Sequence, residues 1–404
     1  MGACVPGSSF SFKEKPMKLV YTSENKIFRI DGGNKSEIPC GRINKYKETL
    51  ESIRRRTEWK TTGTGAQFTG AARANGGEPV ISARITGLCE NKGELIYGVG
   101  LDESCSLYRR SFDRTDENEG LILSGNELYF GAFDCYEGKM AVSLGSNPRE
   151  LHIAVMEPPA SAYDELTDGD SVEENPYWSR CHKNRIYFSS AGNGRNEYGA
   201  VAAVSPRSGA YIDVDRGEME EFLSDSKSDF LRIKDDSYGN IFYIRQPYGG
   251  EQEKEGFKFT DILLFPYRVL KGFFGWLNFV CTMWGGESLK SGSDGLPSYT
   301  KAKQRSERDI IIEGNIIKAE KLAKEEDAKE DGGSIMPLSR VLVKREADGN
   351  ETVIKKGVLD YALCPDGKII VSDGRKLILL DGEKETVIAK ARLAMNIVLE
   401  EYPG

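Results

Sequence analysis

Tyr361-Ala362-Leu363-Cys364-Pro365-Asp366-Gly367-Lys368-Ile369-Ile370-Val371 joins two short apolar stretches through a Pro-Asp-Gly turn. Proline presets the backbone for the turn, and glycine supplies the conformation a tight reversal needs. Downstream, Lys376-Leu377-Ile378-Leu379-Leu380-Asp381-Gly382 and Thr386-Val387-Ile388 add two more strand-like runs, so the region reads as a four-stranded meander.

The second strand of this meander has counterparts along the whole chain. Lys18-Leu19-Val20-Tyr21, Glu94-Leu95-Ile96-Tyr97, Lys139-Met140-Ala141-Val142, Arg185-Ile186-Tyr187-Phe188, Asn240-Ile241-Phe242-Tyr243 and Lys368-Ile369-Ile370-Val371 all place an apolar, β-branched or aromatic run after a polar turn. With the second residue of each as marker, the intervals are 76, 45, 46, 55 and 128 residues. Two of these match a propeller blade of roughly 40–45 residues directly. The others need insertions, and unusual composition lies where the first and last are needed. The turn over Cys364–Lys368 resembles the Ser-Pro-Asp-Gly-Lys turn of TolB-type propellers, with Cys364 in place of serine. Pro176-Tyr177-Trp178-Ser179 before Arg185-Ile186-Tyr187-Phe188-Ser189-Ser190 is similar to it again. The resemblance implies an all-β, six-bladed β-propeller over residues 1–404, with two helical or irregular insertions. A pair of β-sandwiches is the rival architecture, but it does not explain the near-regular spacing.

The ends fit a closed ring. Leu19–Ser23, Lys26–Asp31 and Ser36–Pro39 are one strand short of a blade, and residues 393–400 can supply the fourth. Closure of this kind removes exposed sheet edges.

The first insertion, residues 41–79, opens with a predicted helix from Asn44 to Trp59. Leu50, Ile53 and Trp59 form a candidate docking stripe, with Arg54, Arg55 and Arg56 fanning around the rest. Two readings stand: a helix clamped on the ring with a solvated basic face, or an anion-binding patch helped by Lys45, Lys47 and Lys60. The glycine-rich Gly63–Gly70 that follows lacks the Lys-Ser/Thr pair of a phosphate loop and reads as a plain loop.

The second insertion, residues 256–336 within the fifth blade, carries a dense apolar run from Thr260 to Trp284. Pro266, Arg268, Lys271 and Asn278 interrupt it, which sits badly with a transmembrane span. Phe273, Phe274, Trp276 and Trp284 are candidate anchors for a partner protein or a membrane interface, with Arg268 and Lys271 attracting an anionic surface. Packing of the run on the propeller itself is the plain alternative. Further on, Glu307–Lys329 is expected to be an amphipathic helix bearing Ile310, Ile311, Ile317, Ala319, Leu322 and Ala323.

Composition frames the function. The chain has 404 residues, 44 glycines and a formal charge of −8, a globular and turn-rich balance without net pull toward nucleic acid. Its eight cysteines form no C-x-x-C pair or Cys/His cluster, so zinc and other cofactors are not indicated. Unpaired thiols and a cytoplasmic location, with membrane association on the cytoplasmic side through the second insertion, are the expectation. Met1-Gly2 begins no myristoylation motif, because Pro6 stands where serine or threonine is wanted.

Catalytic signatures are sparse. His152 falls in a strand-like run and His182 in a turn, and no G-x-S-x-G elbow is present. Asp168–Glu174 is acidic but lacks the ligand spacing of an EF-hand. The expected role is therefore a non-catalytic scaffold for protein–protein interaction. The alternative is an enzyme or a small-molecule, glycan or peptide binder at the mouth of the central channel, where loops from every blade converge.

Overall fold

A computed structural model describes residues 17–61, 83–101, 104–112, 119–195, 201–249, 310–312, 315–317 and 333–400. The chain opens with β1 (Lys18–Ser23), β2 (Lys26–Asp31) and β3 (Asn34–Ile38), followed by helix α1 (Gly41–Thr61). The second blade comprises β4 (Arg84–Asn91), β5 (Glu94–Leu101), β6 (Ser104–Ser111) and β7 (Gly120–Gly125). The third comprises β8 (Tyr129–Tyr136), β9 (Lys139–Asn147), β10 (Glu150–Met156) and β11 (Tyr163–Glu165). In the fourth, β12 (Ser171–Trp178), β13 (Arg185–Arg195), β15 (Ser208–Asp213) and β16 (Glu218–Leu223) pair in order, and β14 (Val201–Val204) extends β13. β17 (Ser228–Asp235) and β18 (Ile241–Pro247) begin the fifth blade.

A separate hairpin of β19 (Ile310–Ile312) and β20 (Asn315–Ile317) comes next in the chain, before β21 (Val341–Arg345) and β22 (Glu351–Lys356) complete the fifth blade. The sixth comprises β23 (Asp360–Leu363), β24 (Ile369–Ser372), β25 (Lys376–Asp381) and β26 (Lys384–Lys390). Finally β27 (Met395–Leu399) pairs with β1 and becomes the innermost strand of the first blade. The result is a six-bladed β-propeller.

All six marker runs of the sequence lie in the second strand of a blade. Each is a continuous apolar run because both of its faces are buried against neighbouring blades. Leu95 and Tyr97 enter the cluster between the first and second blades, while Ile96 enters the one between the second and third. Six such clusters fill the six gaps between blades. The one joining Leu19, Tyr21 and Ile30 to Ala362, Ile370 and Leu377 closes the ring. Truncating a large apolar side chain such as Leu19, Ile370 or Leu377 to alanine costs about 2–5 kcal/mol, because a rigid core refills the cavity only partly.

Polar groups reinforce the closure. Glu400 accepts two hydrogen bonds from the Arg29 guanidinium, at 2.8 and 2.6 Å. Thr22 Oγ1 donates to the Met395 carbonyl at 3.0 Å, and Ser23 Oγ to the Arg392 carbonyl at 2.6 Å.

The turn that begins the sequence reading forms as drawn. Gly367 N donates to the Cys364 carbonyl at 3.0 Å, and Cys364 N to the Lys368 carbonyl at 2.9 Å, with Gly367 at φ +83°. The same pair of bonds recurs over Asp236–Asn240 and Glu346–Asn350, where the sequence shares little beyond the glycine.

Two helical expectations need correction. The contact of α1 with the ring is made by Ile43 and Tyr46, ahead of the expected stripe of Leu50, Ile53 and Trp59, of which the Trp59 side chain lies outside the described residues. Ile43 is buried and Tyr46 packs beside it on the first inter-blade cluster, whereas Ile53 is 51% exposed. The helix starts earlier than predicted because Glu119, just before β7, accepts bonds from Gly41 N and Arg42 N at 2.6 and 3.3 Å, capping its first turn. The amphipathic helix expected over Glu307–Lys329 is replaced at its start by the β19–β20 hairpin, with Ile310 opposite Ile317. Ile310-Ile311-Ile312 and Ile316-Ile317 are β-branched runs on either side of Glu313-Gly314, a pattern that favours a short hairpin over a helical turn.

Candidate functional site: the central channel

The inner strands β27, β4, β8, β12, β17 and β23 surround the channel. An inner strand has a blade on one side only, so its other edge faces the lumen. In five of them the ladder slips: at Thr86, at Gly131-Ala132, at Asn175-Pro176, at Arg232-Ile233 and at Asn396-Ile397. A bulge of this kind turns one residue out of the pleat. Asn175, Arg232 and Asn396 take left-handed backbone at φ 55°, 53° and 50°. Such strain in residues other than glycine concentrates at functional positions. Ala132, Asn175, Arg232 and Asn396 border two cavities at once and so form the waist between an upper chamber of about 470 Å³ and a lower one of about 600 Å³.

Charge concentrates in the upper chamber. Asp134 on β8 binds the Arg180 guanidinium at 3.1 Å and accepts from Trp178 N at 3.0 Å. Arg180 in turn lies between the rings of Tyr136 and Tyr177, 4.3 and 4.5 Å from their centroids, and donates to the Trp178 carbonyl at 2.6 Å. Burial opposes its charge, but Asp134, with Tyr177 and Asp235 beside it, more than offsets that and holds its pKa above the ordinary arginine value.

Beside this pair, buried Asp235 gathers the loop between β12 and β13. It accepts from Arg180 N at 2.7 Å, from Cys181 N at 3.3 Å and from the Ser179 hydroxyl. Desolvation raises the Asp235 pKa, with those same hydrogen bonds acting against it. At the waist, Asp360 meets Arg232 at 3.4 Å and accepts from Tyr361 N at 2.8 Å and Asn396 N at 2.5 Å, tying three consecutive blades together.

Lys234 is different. Its ammonium lines the upper chamber, donates to the Tyr361 carbonyl at 2.7 Å and lies 4.8 Å from the Tyr361 ring centroid. Among the described residues no carboxylate comes within 4 Å of it. Desolvation pulls its pKa below the ordinary lysine value, Asp360 works against that, and Arg232 adds to it. The chamber therefore presents one cation without an ion-pair partner among apolar and aromatic walls that include Leu88, Phe133, Leu363 and Pro365.

Cys89 and Cys135 meet on the wall of this chamber as a disulfide between β4 and β8, with Cα atoms 5.7 Å apart. The expectation of unpaired thiols does not hold for this pair. Cys40, Cys105, Cys181 and Cys364 remain as thiols.

The residues singled out in the sequence fall elsewhere. Arg268, Lys271, Phe273, Phe274, Trp276 and Trp284 lie outside the described residues. Arg54, Arg55 and Arg56 lie on α1; Arg55 and Arg56 are exposed, and Arg55 reaches Glu51 at 3.8 Å. His152 Nδ1 lies 2.9 Å from Glu173 in the seam between the third and fourth blades. The acids of Asp168–Glu174 point to separate partners, Asp170 to Arg195 at 2.6 Å and Glu174 to Arg207 at 2.6 Å. Among the described residues no three potential ligands converge on a metal position, and no helix is long and apolar enough to cross a membrane.

The channel residues were missed, although Leu231-Arg232-Ile233-Lys234-Asp235 carries a signal: charge alternates with apolar residues at strand period just before a marker run.

No family model matches the chain, and no curated protein matches it in sequence. Among solved structures it is similar to TolB from Acinetobacter baumannii, at 9% identity and a TM-score of 0.48 over 96% of this chain and 67% of that one. It is similar to the tricorn protease at 13% identity and a TM-score of 0.42, over 93% of this chain and 33% of that one. Prolyl oligopeptidase B from Galerina marginata gives 8% identity and a TM-score of 0.41, over 93% of this chain and 40% of that one. The propeller assignment rests on the sheet order and the ring of inter-blade clusters, not on these likenesses.

Proposed function

We propose that the propeller is a non-catalytic scaffold whose upper chamber receives an anionic group carried on an apolar stem, such as the C-terminal carboxylate of a partner's peptide segment. Lys234 carries this reading. A desolvated ammonium with no carboxylate within 4 Å among the described residues costs stability, and an incoming anion is the natural partner for it. The chamber walls match such a ligand: the cation is on the channel wall, and Leu88, Phe133, Leu363 and Pro365 offer an apolar surface for the stem.

A catalytic reading of the same chamber needs an available base or nucleophile. Asp134 and Asp360 are instead held in ion pairs and by backbone donors, which favours binding over chemistry.

The test is calorimetric titration with short peptides that differ only in a free or an amidated C-terminus, with inorganic phosphate as a second anionic probe. The free carboxylate should bind at least about tenfold more tightly than the amide, which corresponds to about 1.4 kcal/mol, and a chain lacking residues 256–332, which keeps the buried Ile335 and Met336, should bind equally well. Equal affinity for the two peptides would refute the assignment. Binding lost only with the deletion would move the site to that segment, whose apolar run with Arg268 and Lys271 is a separate candidate for a partner or an anionic membrane surface.

A further inference from the structure

The lower chamber differs from the upper one in its charges. Among the described residues, every charged side chain on its wall has an ion-pair partner: Glu174 has Arg207 at 2.6 Å, Glu24 has Arg392 at 2.9 Å, and Arg232 has Asp360 at 3.4 Å. An ion entering there meets no unmatched partner, so the chamber's chemistry is that of its neutral polar groups.

Two such groups stand out. Ser143 lies on β9, the second strand of its blade, and a side chain there is ordinarily screened from the lumen by the inner strand. Here the bulge at Gly131-Ala132 opens a window. A Cβ at Gly131 would sit 3.1 Å from Ser143 Cβ and 3.2 Å from Leu151 Cδ1, so the missing side chain is what brings Ser143 and Leu151 onto the chamber wall. Ser143 is fully buried, and its hydroxyl has no hydrogen-bond partner in the protein. Leaving such a group unsatisfied is costly, whereas a rotation about one bond swings Oγ between three staggered positions. On the adjoining blade Asn175 holds its amide at the waist from a left-handed backbone, and among the described residues nothing hydrogen-bonds that amide. Ile85, Leu151 and Leu393 supply apolar surface around these groups.

A hydroxyl that donates and accepts, an amide that does both, neutralised charges and apolar patches are the complement of a small, neutral, hydroxyl-rich molecule. We infer that the lower chamber is a second binding site, for a polyol or monosaccharide, distinct from the anion site above the waist. Its volume lies within the range of small-molecule pockets.

Glucose, myo-inositol and mannitol are the probes, followed by saturation-transfer NMR and by calorimetry on the full chain. At least one should bind saturably. Ser143→Ala removes one buried hydroxyl without changing the fold, and should leave the thermal midpoint of the unliganded protein unchanged or raised while weakening that probe by about fivefold to thirtyfold. Gly131→Ala, which narrows the window, and Asn175→Ala should weaken it as well, whereas Lys234→Met should not. The inference is overturned if none of the three probes binds, if binding is indifferent to Ser143→Ala and Asn175→Ala, or if Lys234→Met abolishes it, which would place the molecule above the waist.

Discussion

Replacing Lys234 by methionine separates the charge of this side chain from its bulk. Methionine keeps an unbranched stem of similar length and deletes the ammonium. What is lost is a charge-assisted hydrogen bond to the Tyr361 carbonyl, worth roughly 1.5–3 kcal/mol. Lost too are contacts with the Tyr361 and Tyr177 rings, at 4.8 and 5.8 Å, worth about 0.5–1 kcal/mol each. What is relieved is the desolvation of the ammonium, and the direction of the Lys234 pKa says which side is larger. It lies below the ordinary value even with Asp360 nearby, so the charged form is worse placed here than in water. The variant should therefore be as stable as the parent at neutral pH, or more stable by up to about 1 kcal/mol, which for a large domain is a rise of roughly 2–4 °C or less in midpoint.

The pH dependence carries the same sign. A lysine depressed on folding holds its proton less firmly in the folded chain than in the unfolded one. Parent stability should thus rise with pH between the depressed value and 10.5, and the methionine variant should lack that rise. Anion binding should run the other way, present below the lowered pKa and lost as pH climbs through it. Urea unfolding at neutral and alkaline pH, with titration of the free-carboxylate peptide alongside, reads all three. A variant destabilised by more than about 2 kcal/mol at neutral pH would make Lys234 a structural clamp, and undiminished peptide affinity would remove it from the site.

Three other perturbations test the frame that holds the channel. Asp235→Ala strips three donors of their buried acceptor and should cost about 2–4 kcal/mol in urea unfolding; Ser179→Ala, which removes one of those donors and also the acceptor of His182 N at 2.7 Å and Cys181 N at 3.2 Å, should cost about 1–3 kcal/mol. Glu400→Gln breaks the two-point contact with Arg29 and should cost about 1–3 kcal/mol, and a double-mutant cycle with Arg29→Met should show that the two losses are not additive. Deleting residues 256–332, which spares the buried Ile335 and Met336, should leave cooperative unfolding of the ring intact, while flotation on anionic vesicles, if the intact chain floats at all, should disappear with the segment; flotation that survives the deletion would assign membrane contact to the ring itself.

The legible and the hidden parts of this sequence differ for a physical reason. Second strands such as Ile186-Tyr187-Phe188 are buried on both faces and announce themselves as unbroken apolar runs, so the blade count follows from their spacing. Inner strands face a lumen along one edge and carry Asp134, Arg232, Lys234 and Asp360, which break the pattern a strand search follows. The disulfide was hidden by the repeat. Cys89 and Cys135 are 46 residues apart, about one blade, and occupy neighbouring inner strands, so a search for close pairs passes over them. On α1, Leu50 and Ile53 satisfied helical periodicity while the Glu119 cap, 78 residues from Gly41 along the chain, fixed where the helix meets the ring. Around Ile310–Ile317 a wide amphipathic pattern outweighed two local β-branched runs, and local preference prevailed.

The bulges explain why the polar residues gather where they do. A regular inner strand sends alternate side chains into the gaps on its two sides, and those gaps are filled by apolar clusters. A charged residue in register would have to enter one of them, at a cost of several kcal/mol unless paired. Slipping the ladder at Asn175-Pro176, Arg232-Ile233 and Asn396-Ile397 turns the odd residue toward the lumen instead, and ring closure supplies a lumen for it to enter. The same device produces the waist, the Gly131 window and the approach to Lys234, so both proposed sites arise from departures from regular pairing. Restoring regular pairing at one bulge, by deleting Ile233 for example, would move Lys234 to the opposite face of β17 and out of the chamber, because a one-residue shift exchanges the two faces of a strand.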